Sequence, residues 1–248
     1  MGAEAEGWRL VCLDRVGSTN DVGRAAGERG CPARLAIFAE EQTAGRGRSG
    51  RRWTVPPRRG LLGSTLWRPA VAPARAATLG QVAGLATVDA LAALGIESRL
   101  KWPNDVLIGP AKVAGILLES AVEAGRLRHV VIGIGLNVNQ AGDELPPTAY
   151  PATSLRLATG RPADRAALAA ALLTALARRY DQWQARPGEV FARWRGALAT
   201  LGQAVRVIGP DGQREGRARD VEPDGALLLE RVDGSVERLV SGELSVRA

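Results

Sequence analysis

The sequence is poor in the side chains that most often carry chemistry. Its only histidine is His129, and its only cysteines are Cys12 and Cys31. So few soft ligands argue against a zinc site. One histidine with no nucleophile beside it gives a Ser–His–Asp triad no support, and His129 reads as an ordinary residue at the start of a strand. The cysteines are separated by eighteen residues and form no C-x-x-C pair; they read as reduced, buried thiols of a cytoplasmic protein. No apolar run looks long enough to span a membrane, and the N-terminus lacks a signal-peptide pattern. Aromatics make up 4% of residues, and outside one loop they do not interleave with basic residues. That weakens the nucleic-acid reading that a net charge of +7 invites. Lysine is scarcer still: Lys101 and Lys112 stand against 31 arginines. A generic cation in this chain is written as arginine. Where lysine stands, either a compact ammonium is needed in place of a planar fork, or two lysines survive by chance.

What is abundant is concentrated in one loop. Four arginines and three glycines fall within the nine residues 44–52, and Trp53 follows them. Glycines let backbone N–H groups approach an anion closely. Arginines add permanently charged, bidentate donors, and an indole offers a face for a base. Such parts suit a nucleotide-activated carboxylic acid, or else a solvated basic loop that touches nucleic acid. Gly45, Gly47 and Gly50 also fit G-x-G-x-x-G, but that fingerprint must open a helix, and Pro56-Pro57 follow here.

Along the chain, Trp8 to Leu13 reads as a strand. Ser18 or Thr19 can cap a helix that runs to about Arg29 and stops at Gly30; the same hydroxyls could serve a polar ligand. Leu35–Glu40 and Leu61–Trp67 read as strands, and Pro73–Leu94 as an alanine-rich helix stopped by Gly95. Asp105 and Lys112 are expected near opposite ends of a hairpin turned at Gly109-Pro110. Val130–Ile134 is β-rich and leads to Asn137 and Asn139, which face one side if extended. The stretch from Leu145 to Ser154 is a proline-rich loop, and Asp164–Trp183 and Pro187–Leu198 are helical. After Gly202 four short strands at close spacing (Val205–Ile208, Gly216–Val221, Ala226–Glu230, Val236–Val240) predict a small β-barrel.

Taken in order, several motifs resemble a biotin–protein ligase. They are Gly17-Ser18-Thr19-Asn20, the run from Gln42 to Arg51, Lys101-Trp102-Pro103-Asn104-Asp105, the run from Lys112 to Glu119, and the run from Gly133 to Asn139. Ser241-Gly242-Glu243 with Arg247 closes the match, which covers nearly the whole chain. The resemblance implies an α+β fold. Residues 1–200 would form a mixed-sheet catalytic domain related to class II aminoacyl-tRNA synthetases and lipoate ligases, and residues 201–248 a small SH3-like β-barrel. It also implies two half-reactions. Biotin and ATP with Mg²⁺ would give biotinyl-5′-AMP, and biotin would then pass to a lysine of a biotin carboxyl carrier protein domain. Such chemistry asks for in-line placement and cations around phosphates more than for an acid or base.

By match to the family's motifs, Ser18, Thr19, Asn20, Gln42, Gly45 and Gly115 would hold biotin, and Arg46 would close over its chain. Lys112 would meet the biotin carboxyl and the phosphoryl oxygens. Arg48 and Arg51 would hold the phosphate and nucleotide, Trp53 would stack on adenine, and Asn137 would bond near it. Asn104 and Asp105 would serve the phosphates, with Asp105 on Mg²⁺. Lys112, Arg46, Arg48 and Asp105 are the expected catalytic set. Trp102-Pro103 reads equally as a packed turn, and Glu119 as structural or functional. Without ligand the loop is expected to be mobile. Only sixteen residues precede Gly17, which implies the form without an N-terminal DNA-binding domain; no specific DNA binding or membrane attachment is expected, and a homodimer is left open. Ala33-Arg34 and Gly63 depart from the family pattern where a Gly-Thr pair and an aromatic would be expected. The rival readings are a lipoate–protein ligase-like adenylating acyltransferase and a basic nucleic-acid-binding protein with a C-terminal β-barrel.

Overall fold

The computed structural model describes residues 4–5, 7–146, 150–209 and 212–246; Arg247, which the motif match includes, lies outside them. Alternation decides the larger sheet. In β3 (Leu35–Gln42), Leu35 and Ile37 point to one face and Ala36 to the other. In β8 (Arg126–Asn137), Val131 faces with Ile37, while Val130 and Ile132 face with Ala36. Both faces of this sheet are therefore apolar, and each is covered by helices.

Eight strands make that sheet. They are β1 (Glu4–Ala5), β2 (Trp8–Val16), β3, β4 (Gly60–Trp67), β5 (Arg99–Lys101), β6 (Asp105–Ile108), β7 (Ala111–Glu123) and β8, in the spatial order β1-β2-β3-β4-β8-β7-β6-β5. Only β2 and β3 pair in parallel, and α1 (Thr19–Glu28) makes the crossover between them. α1 covers the face that carries Ile37, Leu66 and Val131. The other face takes α3 (Leu79–Ala93), preceded by the single turn α2 (Pro73–Ala76), together with α5 (Arg165–Ala185) and α6 (Pro187–Ala197). α5 starts where expected: Asp164 accepts from the N–H groups of Ala166 and Ala167. An aromatic stack anchors this layer: Trp67 lies 4.3 Å from Tyr180 and 5.2 Å, edge-on, from Trp8.

Some expectations need correction. Pro73–Ala93 is long and apolar enough to cross a membrane on length and composition alone; here it breaks between α2 and α3 and serves as core. Cys12 is exposed and Cys31 half-buried, although Cys12 lies on the same face of β2 as Trp8 and Leu10. His129 lies inside β8, buried against Gly27 of α1. A short helix, α4 (Leu155–Thr159), capped by Ser154, follows the proline-rich loop.

The C-terminal residues form a separate, all-antiparallel sheet of five strands: β9 (Ala204–Gly209), β10 (Gly212–Val221), β11 (Leu227–Glu230), β12 (Val236–Leu239) and β13 (Glu243–Val246), ordered β12-β11-β10-β9-β13. β13 was not foreseen from the sequence. The two sheets meet at Trp102. Its indole N–H donates to Gly225 O at 2.8 Å, its backbone N–H to Thr200 Oγ1 at 3.0 Å, and its ring lies against Gly242. The packed-turn reading of this residue fits that place.

Candidate active site

The sequence motifs converge on one cavity of about 390 Å³. It opens at the ends of β7 and β8, under the arginine loop, with the tip of the C-terminal sheet as a further wall. Ser18, Thr19, Asn20, Gln42, Arg46, Arg48, Arg51, Trp53, Asn104, Asp105, Lys112, Gly115 and Asn137 all line it. Gly45 does not. It lies behind the loop, where an added Cβ would stand 2.3 Å from Trp53 O, so its smallness serves the backbone crossing and not a ligand.

One end of the cavity is neutral and polar. Ser18 is the N-cap of α1, yet its side chain makes no capping bond, so the hydroxyl is not spent on the helix. Thr19 donates through its backbone N–H (2.7 Å) and its hydroxyl (3.0 Å) to Gln42 Oε1, which fixes the amide's orientation. Ser64 Oγ stands 2.7 Å from Thr19 Oγ1 and 2.6 Å from Asn20 Oδ1 and gives its one proton to one of them. Asn20 in turn donates to Glu119 at 2.7 Å. This end needs Gly133, because an added Cβ there would meet Asn20 Oδ1 at 2.2 Å. At Gly63 the Phe38 ring of the paired strand fills the space that a side chain would enter. The missing aromatic is thus replaced from β3.

The other end is cationic. Lys112 Nζ lies 2.6 Å from Asp105 Oδ1, and Lys101 Nζ lies 3.5 Å from Asp105 Oδ2. Along the backbone Asp105 and Lys112 stand near opposite ends of their hairpin, as expected, Asp105 pairing with Gly115 at the open end and Lys112 lying next to the turn, yet their side chains are partners. A bulge at Val106/Leu107 shifts the register and pairs Leu107 with Lys112, and the lysine's length does the rest. Arg48 reaches Asn104 Oδ1 at 3.5 Å, and Asn104 is held by Ile116 O at 2.7 Å. Burial pushes the Arg48 guanidinium below the ordinary arginine range, and Arg51 adds to this while Asp105 opposes it. A half-buried cation of this kind suits an anion.

Trp53 divides the two ends. Its indole lies across Gly115 and Gly135, where added Cβ atoms would stand 3.1 and 2.4 Å from the ring. Lys112 Nζ is 5.4 Å from its centroid. Asn137, buried at the end of β8, donates to Thr153 O and accepts from Gln140. Asn139 instead bonds Ala163 at the approach to α5 and is structural.

The arginines of the loop expected to be mobile make several contacts. Arg46 donates to Asp21 at 2.6 Å and to both oxygens of Glu119 at 2.9 Å. Arg51 pairs with Glu243 of the C-terminal sheet at 2.6 Å, and Arg52 bonds Thr43 O at 3.0 Å. Arg46, Arg48 and Arg51 thus find acceptors on α1, β7, the turn at Asn104 and β13, and Arg52 on the adjoining Thr43. Asp21, first of all, raises the Arg46 pKa through its hydrogen bond. These pairs are partly exposed and hence screened by salt. Trypsin cleavage after Arg46 and Arg51 is expected to be slow at low ionic strength and faster at high salt. A rate independent of salt would count against ion-pair anchoring.

The family model described as "Biotin/lipoate A/B protein ligase family" matches residues 13–137, and that described as "Biotin protein ligase C terminal domain" matches residues 200–247. The chain belongs to the biotin/lipoate A/B protein ligase family. Among relatives of this ligase family, the biotin–[acetyl-CoA-carboxylase] ligase of Mycobacterium tuberculosis is 40% identical over 90% of this chain and 84% of its own length. The bifunctional ligase/repressor BirA of Bacillus spizizenii is 32% identical over 99% of this chain and 76% of its own. The solved biotin protein ligase from Aquifex aeolicus in complex with biotin and ATP superposes with a TM-score of 0.78 at 30% identity, covering 96% of this chain and 98% of that one. In this ligase fold the side chains that motif reading did not assign are Lys101, Ser64, Tyr150 and, at the loop's anchor, Asp21 and Glu119. Lys101 stands four residues from its partner Asp105 within one motif; the contacts of the others join distant positions that no spacing signals.

Proposed function

We infer that the cavity carries out a two-step ligation. The protein is an ATP-dependent biotin–protein ligase of the biotin–[acetyl-CoA-carboxylase] kind. In the first step a carboxylate oxygen of biotin attacks the α-phosphorus of ATP, the bond to the bridging oxygen breaks, and pyrophosphate leaves. In the second, a lysine amine of a biotin carboxyl carrier protein domain attacks the acyl carbon of biotinyl-5′-AMP, and AMP leaves. The observation that carries this reading is the cavity's polarity: a neutral hydrogen-bonding end, a flat aromatic divider and a cationic end, in the order that a ureido ring, an aliphatic acid and a nucleotide require.

In this reading Ser18, Thr19, Asn20 and Gln42 bind the ureido ring, and Gly115, beside Trp53 and Lys112, borders the biotin farther along. Arg46 closes over the aliphatic chain. Lys112 meets the carboxyl and phosphoryl oxygens, Arg48 and Arg51 hold the phosphate, Trp53 takes the adenine face, and Asn137 lies beside it. Magnesium enters on the phosphates of ATP as part of the substrate. Asp105, expected on the ion, already holds both lysines, so in this reading the ion takes its oxygens from phosphate and water. Among the described residues no cluster of three His, Cys, Asp or Glu could hold a metal by itself. Residues 1–200 form the catalytic domain and residues 201–248 an SH3-like domain that closes one wall. Two free cysteines are in keeping with a cytoplasmic protein.

Mass spectrometry under native conditions after incubation with biotin, ATP and Mg²⁺ tests the first step; retained biotinyl-5′-AMP is expected. Preferential adenylation of lipoate in competition would favour the lipoate reading. Arg48 should retain that intermediate. Losing one charge-assisted contact costs about 1.5–3 kcal/mol, so Arg48→Gly is expected to speed escape of the adenylate roughly ten- to a hundredfold. Biotinylation of bystander albumin reports it, and labelling no higher than with the wild type would count against this role.

A further inference from the structure

The only two lysines converge on one carboxylate. Three short strands bring this about: Lys101 ends β5, Asp105 opens β6, and Lys112 lies on β7. Lys101 is the more deeply set, with a side chain 6% exposed against 26% for Lys112. Its Nζ lies 3.7 Å from the centroid of the Tyr150 ring, a contact that favours the charged ammonium. The ligand roles proposed above use Lys112 and leave Lys101 without a task.

Lys112 faces a difficulty that Lys101 resolves. To meet a carboxyl–phosphoryl junction, its Nζ must leave an oxygen 2.6 Å away, on a carboxylate that is itself 13% exposed. A carboxylate stripped of its cation in such a place is strongly disfavoured. We propose that Lys101 is a positioning residue of the ligation: it keeps Asp105 paired while Lys112 exchanges that carboxylate for the ligand. The proposal rests on the ligation reading.

The residue type fits the task. An arginine at position 101 would engage both carboxylate oxygens at once and displace Lys112. An ammonium on Oδ2 leaves Oδ1 for the second lysine. This chain writes nearly all its cations as arginine, and it departs from that habit at these two positions. Burial lowers the Lys101 pKa, Asp105 opposes the shift, and Lys112 adds to it. Asp105 and the Tyr150 ring face are what hold the proton there.

With two lysines, a protein labelled with ¹⁵N at lysine Nζ gives two side-chain signals, and Lys101→Met assigns them. On adding biotin, ATP and Mg²⁺ to the wild type, the Lys112 signal is expected to move and the Lys101 signal to hold. In Lys101→Met the remaining signal should not move, and pyrophosphate release should fall roughly tenfold or more. Lys101→Arg should not restore it. Methionine keeps the stem's volume, so a merely space-filling Lys101 predicts a near-normal rate and a Lys112 signal that still responds; that result overturns the proposal. If Lys101→Met does not fold, Lys112→Met assigns the signals instead and the wild-type titration decides; a Lys101 signal that travels with that of Lys112 overturns the proposal. Asp105→Asn should shift both signals in the ligand-free protein; a Lys101 signal unmoved by it means the carboxylate is not shared. A wild type that releases no pyrophosphate with biotin and ATP refutes the ligation itself, and that control separates the two failures.

Discussion

Lys112→Arg is expected to lose adenylate formation although it keeps the positive charge. The ammonium sits in a narrow place. It touches Asp105 at 2.6 Å, an added Cβ on Gly115 would stand 3.4 Å from it, and the Trp53 ring is 5.4 Å away. A guanidinium is larger and planar, and it would take both oxygens of Asp105 as a fork. Held there, it cannot point a donor at charge developing between carboxyl and phosphorus. Removing one well-placed donor of this type costs about 2.7–4 kcal/mol, roughly a hundred- to a thousandfold in rate. Pyrophosphate release measures it. Activity within threefold of wild type, say, would remove Lys112 from the proposed chemistry.

Trp102→Ala is expected to cost as much in stability, with activity following. The side chain is fully buried, spans the joint between the two sheets, and donates its indole N–H to Gly225. Truncating a buried tryptophan costs about 3–5 kcal/mol, against a total of roughly 5–15 kcal/mol for a folded protein. The melting temperature should fall by about 2–4 °C per kcal/mol in a chain of this size. Its neighbours Lys101, Asn104 and Asp105 form the cationic end of the cavity, so ligation should fail in the same variant. An unchanged melting temperature would mean that the joint carries little of the stability.

Periodicity and punctuation made most of this architecture legible. Asp164 caps α5, Gly95 has the positive φ of +74° that stops α3, and the order of polar motifs marks the cavity. Tertiary events were less legible. β13 has four residues with no pattern of their own and exists because β9 offers it an edge. The bulge beside Leu107 lets the side chains of Asp105 and Lys112 meet although they stand near opposite ends of the hairpin. Asn20 and Glu119 are 99 residues apart in sequence and 2.7 Å apart in space. The loop's four arginines read as mutual repulsion along the chain, because the acids that receive Arg46 and Arg51 come from elsewhere. Glycines 133 and 135 are explained only when Asn20 and Trp53 are seen pressed against them.

The placement of the two lysines has a consequence for the protein's own exterior. A biotinyl-5′-AMP molecule is a mixed anhydride and acylates whatever primary amine it meets. On this chain the lysine amines are confined to the cavity that makes the anhydride, where Asp105 holds both of them. An intermediate that escapes finds arginine on the outer surface, and a guanidinium that stays protonated is no nucleophile. The chain offers its reactive product no lysine acceptor outside the active site.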